Sequence, residues 1–168
     1  AHALANGLGN SHTTRFRAEG DLAAPQALWD DAVERAAIHA ILNAGDVDVL
    51  GMMYSTAYPE IDGYRSWIRY ALGRNPDTRI FIAAQAEGDP TVQTAAQFAA
   101  GYDSTLASVH SLIDDLRAAF PNVDIYAVPS GAMAVELFNL YEGAGLPDVS
   151  ALVGAAADSL FQDSDGIP

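Results

Sequence analysis

Five loops hold the side chains of this chain that suit chemistry. Glu19, Gly20 and Asp21 follow a short alternating stretch. Ser55, Thr56 and Tyr58 follow a second, apolar stretch, and Gln85, Glu87 and Asp89 follow a third. Ser130 and Gly131 follow a fourth, and Asp163 and Asp165 lie in the C-terminal loop. Carboxylates of this kind act as general acids and bases or bind a hard cation. Hydroxyls act as nucleophiles or donors. A glycine lets a backbone N–H approach a developing oxyanion without a side chain in the way. Each group also has a plainer use. Glu19-Gly20-Asp21 reads as a turn with a helix-capping acid. Ser55 and Thr56 read as caps or loop hydroxyls. Glu87 and Asp89 read as solvated acids in a Gly-Pro loop. Residues 163–166 have the acids of a calcium loop but lack its full pattern and terminal Glu.

No histidine accompanies these loops. His2 and His12 are near the N-terminus, and His39 and His110 fall inside helical patterns. All four read as structural or surface residues, so no Ser–His pair and no His-based metal site is expected. No cofactor is implied. Met52 and Met53 read as core, and Trp29 and Trp67 as helix residues covering a sheet. Tyr54 flanks the second loop. Arg65, Arg69, Arg74 and Arg79 form the only basic concentration. Arg65 and Arg69 are one helical turn apart with Asp62 nearby. They read as an ion-paired face, or as a site for an anion or an acidic partner.

Composition removes several classes. The chain has 168 residues and a net charge of −14, and every basic residue is Arg. Without Lys there is no Schiff-base chemistry and no P-loop lysine. Without Cys there is no thiolate nucleophile and no Cys-ligated metal. The acidic balance argues against nucleic acid or an anionic membrane as partner. No run is long enough to span a membrane. No signal peptide is visible at the N-terminus, although a chain whose signal had been removed reads the same. The compartment stays open, with a secreted or periplasmic one preferred.

Four segments read as the strands that would position the loops: 13–18, 46–54, 79–85 and 123–128. The last three are near-continuous apolar runs, expected of a sheet covered on both faces. Helical patterns occupy 25–43, 61–72, 91–120, 132–141 and 150–160. This alternation predicts one α/β domain over 1–168, a three-layer α/β/α sandwich with a mostly parallel, doubly wound sheet. Ligands of such sheets bind beyond the strand carboxyl ends, where the loops lie. Residues 1–8 read as a helix tail and 163–168 as a loop leading onward, so a first strand and last helix are expected to be missing.

Three stretches carry a family resemblance: VDVLGMMYSTAYPEIDGYRSWIRYALGRNPDTRIFIAAQ, AFPNVDIYAVPSGAMAVEL and LFQDSDG. In this order they resemble SGNH/GDSL-type hydrolases, most of all a poorly characterised bacterial branch, from about Arg15 onward. The resemblance implies a flavodoxin-like sandwich and ester hydrolysis by acyl transfer on a carbohydrate or lipid ester. It places Gly20 at the glycine oxyanion donor, Ser55-Thr56 where the family carries Asn, and Asp163 at the late-loop Asp. Ile167 and Pro168 stand where the family has its His, and the nucleophile block has no counterpart. Asp21, Thr56, Tyr58, Gln85, Glu87 and Ser130 then become the expected substrate-binding set. The alternative is a non-catalytic binding or self-assembling subunit on the same scaffold, with a homo-oligomer as partner.

Overall fold

A computed structural model of the chain describes residues 13–14, 23–86, 88–154 and 159–162. The fold is mixed α/β, with a three-stranded parallel sheet and five helices among the described residues. The order is α1 (Pro25–Asp30), α2 (Ala32–Leu42), β1 (Val49–Met53), α3 (Ile61–Leu72), β2 (Arg79–Ala83), α4 (Ala95–Ala119), β3 (Ile125–Val128) and α5 (Ser130–Glu142). Two short strands follow, β4 (Ala151–Gly154) and β5 (Ser159–Gln162). The main sheet runs β1-β2-β3, with Leu50 beside Ile80 and Ile80 beside Ile125. The expected strand at 13–18 lies almost wholly outside the described residues.

The single helix expected over 25–43 is two helices. Asp31 takes an extended conformation, φ −73° and ψ 115°, and its carboxylate accepts from the N–H groups of Val33 and Glu34. An acid that caps the following turn in this way starts a new helix. The two amide bonds hold the Asp31 carboxyl below its ordinary range. The helix expected at 150–160 is also corrected. That segment forms β4 and β5, paired in parallel in a sheet of their own. Leu152 and Leu160 pack on a small cluster of Ala95, Phe98 and Phe138 between α4 and α5. Gly154 weakens a helix at its centre, and the strand pair delivers both leucines to one patch.

Side chains of β1–β3 divide by parity. Leu50, Met52, Ile80, Ile82 and Ile125 face one side. There they join Ile38 and Leu42 of α2, Tyr64, Trp67 and Ile68 of α3, and Val109, Ile113 and Leu116 of α4 in one core. Ile80 and Ile82 are fully buried. Trp67 ties the layer to α1 by donating its indole N–H to the Pro25 carbonyl at 2.9 Å. Gly63 brings α3 against the α1 backbone. A Cβ there would lie 2.5 Å from the Gln26 nitrogen.

The other face is different. Val49, Gly51, Met53, Phe81, Ala83, Tyr126 and Val128 point to it. Val49 is 55% exposed, Tyr126 42% and Val128 37%. The expectation of a sheet covered on both faces does not hold among the described residues. Both faces are apolar, but helices α2, α3 and α4 share a single core with only one of them.

Candidate functional site

The described loops after β1, β2 and β3 lie at the strand carboxyl ends, as expected. Ser130 begins α5, and its Oγ donates to the Ala84 carbonyl at 2.9 Å. The Gly131 N–H donates to the same oxygen at 2.9 Å. A Cβ on Gly131 would come within 2.2 Å of the Ala86 nitrogen and 2.7 Å of the Tyr102 ring. The start of α5 therefore sits in the notch between β2 and β3, where a ligand of a doubly wound sheet would lie. Burial pushes the Tyr102 hydroxyl above the ordinary tyrosine range, partly offset by the nearby Ala132 N–H.

Ser55 is held in a turn. Its Oγ accepts from the Ala57 N–H at 3.2 Å, and its carbonyl accepts from the Tyr58 N–H. Thr56 is exposed, Tyr58 is half-buried and Gln85 is exposed. Ser55, Gln85 and Ser130 share one edge of the sheet but make no hydrogen bond with one another. Gly20, Asp21, Glu87 and Asp163 lie outside the described residues. Asp89 shapes its own loop, accepting from the Thr91 N–H at 2.8 Å and the Thr91 hydroxyl at 2.5 Å. Those bonds hold its carboxyl below the usual range. Among the described residues no group of His, Asp and Glu is arranged to hold a metal ion, and no helix is long and apolar enough to cross a membrane.

The two described imidazoles are far from these hydroxyls. His110 is exposed on α4, roughly 22 Å along the helix from its start, at 1.5 Å per residue. His39 stacks on Tyr70 with ring centres 3.7 Å apart and meets Trp29 and Trp67 edge-on. Its Nε2 is buried without a hydrogen-bond partner among the described residues. Burial, then the Arg35 and Arg74 charges, push His39 below its ordinary value near 6.5. The sign follows from proton linkage. In the unfolded chain His39 binds its proton at the ordinary pKa, and in the folded chain it resists. Stability from neutral His39 is therefore complete above about pH 6.5 and is lost as the pH falls below it. Chemical denaturation between pH 7.5 and 5 will show this loss, and His39→Phe will flatten it.

One concavity reaches the open side of the sheet. A cavity of about 360 Å³ runs from the helical layer around the outer edge of β1 to the open face. Leu28, Ile38 and Trp67 line its inner end, and Gly51, Met53, Phe81 and Val128 its outer end. No described atom comes within 4 Å of a Cβ placed on Gly51. The edge beside the cavity has no strand paired to it among the described residues. Arg79 N–H donates to Asp48 O and Tyr54 N–H to Ala83 O. By the alternation of a parallel ladder, the N–H groups of Val49, Gly51 and Met53 then point away from β2. Among the described residues none of the three has an acceptor. Sequence reasoning missed this site because an apolar strand covered on both faces reads the same as one left open on one. Gly51 within an apolar strand was the available signal. Comparison of the chain with protein families, with curated proteins and with solved structures finds no match.

Proposed function

We propose that this chain is an assembly module that docks a second copy of itself on the open face of its sheet. The single observation carrying this is the apolar face of β1–β3. Phe81 and Tyr126 stack there with ring centres 5.3 Å apart, beside exposed Val49 and Val128. Apolar surface of this kind marks an interaction site. The outer edge of β1 adds the N–H groups of Val49, Gly51 and Met53, which have no acceptor among the described residues and suit strand pairing, while the Met53 carbonyl is taken by the Tyr64 hydroxyl at 3.0 Å. Identical chains satisfy such a patch by a two-fold contact. The reading also bears on the fold. Two crossovers advance in one direction with their helices in one core, which supports half of a flavodoxin-like, doubly wound arrangement. The second layer of a three-layer sandwich belongs on the open face, and here the partner copy supplies that cover.

Charge sets the condition. Each copy carries −14, whereas the residues of β1–β3 on this face include no acid and Arg79 as their one base. Repulsion between copies is long-ranged and screened by salt, and apolar contact is not. Light scattering of the full chain will show mass rising with concentration, more steeply at 1 M NaCl than at 0.05 M. A monomer at every concentration and salt would overturn the proposal. Ester hydrolysis, implied by the resemblance, requires Gly20, Asp163, a serine and an imidazole acting together. Labelling of the chain by a serine-directed fluorophosphonate, lost on Asp163→Ala, would replace the assembly reading with that one.

A further inference from the structure

A second concavity lies on the opposite side of the molecule's helical layer, beside the end of α3. It holds about 270 Å³ and is lined by Trp29, Ser66, Arg69, Tyr70, Gly73 and Arg74. This volume is small for a ligand pocket and suits a molecule of one ring.

Its two arginines have no carboxylate partner among the described residues. Arg69 is exposed and makes no hydrogen bond or ion pair among the described residues. Arg74 is held by neutral groups. Its Nε donates to Asn43 Oδ1 at 2.7 Å, one terminal nitrogen donates to the Tyr70 hydroxyl at 3.4 Å, and its guanidinium sits 4.8 Å from the Tyr70 ring centre. Tyr70 in turn donates to Asn43 Oδ1 at 3.0 Å. Three acids of α1, α2 and α3 have other partners. Asp62 pairs with Arg65 at 3.5 Å, Asp30 accepts from Gln26, and Asp31 caps α2. In a chain of 22 acids and 8 arginines, two arginines without a carboxylate partner among the described residues in one groove is a specific arrangement.

We infer that this groove binds a small planar carboxylate, with its charge on Arg69 and Arg74 and its ring against Trp29. Guanidinium groups match the two oxygens of a carboxylate, and charge-assisted bonds of this type are the strong ones. Arg74 is already oriented by Asn43 and Tyr70, so less freedom is lost on binding. Trp29 supplies an aromatic wall that a bare inorganic ion would not use.

The probe is benzoate, titrated into the full chain at low salt by calorimetry, with the Trp29 indole N–H followed by NMR. The expected result is saturable binding with a shift of that resonance. Arg69→Gln and Arg74→Gln each weaken it at least tenfold, and Arg65→Gln, ion-paired outside the groove, leaves it unchanged. Arg69 is exposed, so its variant keeps the fold, which circular dichroism will verify. Absence of saturation, equal affinity in Arg69→Gln, or acetate or inorganic phosphate binding as tightly as benzoate would each overturn the inference.

Discussion

Gly63→Ala will destabilise the fold by about 3 kcal/mol, the upper end for an overpacked core site. The added carbon falls 2.5 Å from the Gln26 nitrogen and 2.6 Å from its Cα. Both are backbone atoms that no rotamer change can move aside. Relief requires α1 to separate from α3, which breaks the Trp67–Pro25 hydrogen bond and opens the packing of Trp29 on Trp67, now 4.8 Å apart edge-on. For a chain of this size the melting temperature will fall by roughly 6–12 °C. Gly51→Ala is the contrast. That position has open space and sits in a strand, where a side chain is favoured over glycine. Its thermal midpoint will stay at or above that of the parent chain. Equal losses in the two variants would show that α1 is not seated on α3 as described.

Val128→Glu will reduce self-association at least a hundredfold while leaving the monomer folded. Val128 is exposed in the monomer at 37%, so a carboxylate there remains in water. In the assembly it is enclosed by a face whose strand residues are apolar except for Arg79. Burying an unpaired charge costs several kcal/mol, and a hundredfold weakening corresponds to about 2.7 kcal/mol. Sedimentation of the variant at high salt, where the parent chain associates, gives the comparison. An unchanged association constant would place the contact elsewhere on the surface.

Much of the fold was legible from local patterns. Helix α3 is legible to the residue, because Tyr64, Ile68, Ala71 and Leu72 recur at helical spacing, and the first three are buried. Turn chemistry at Asn75 was also readable, since its side chain accepts from the Asp77 N–H at 3.0 Å. The break at Asp31 was written in the sequence as an acid three residues before Glu34, a capping signature outweighed by the continuous apolar period of 25–43. Residues 150–160 failed because a short apolar run with a glycine fits either element. The candidate site was less legible. Ser130 stands at a strand carboxyl end as expected, but its hydroxyl fastens α5 to Ala84, a pairing across 46 residues that no local pattern carries. The cavity depends on which face of the sheet lacks a helix, and apolar residues on both faces hide that choice.

Residue-resolved amide hydrogen exchange at Gly51 and Met53 tests the assembly most directly. These N–H groups point outward from β1 and have no acceptor among the described residues. Docking of a second copy along this edge predicts fast exchange in the monomeric Val128→Glu chain and strong protection in the associated parent chain, at both positions. Fast exchange in the associated parent, or equal protection in both samples, would contradict it.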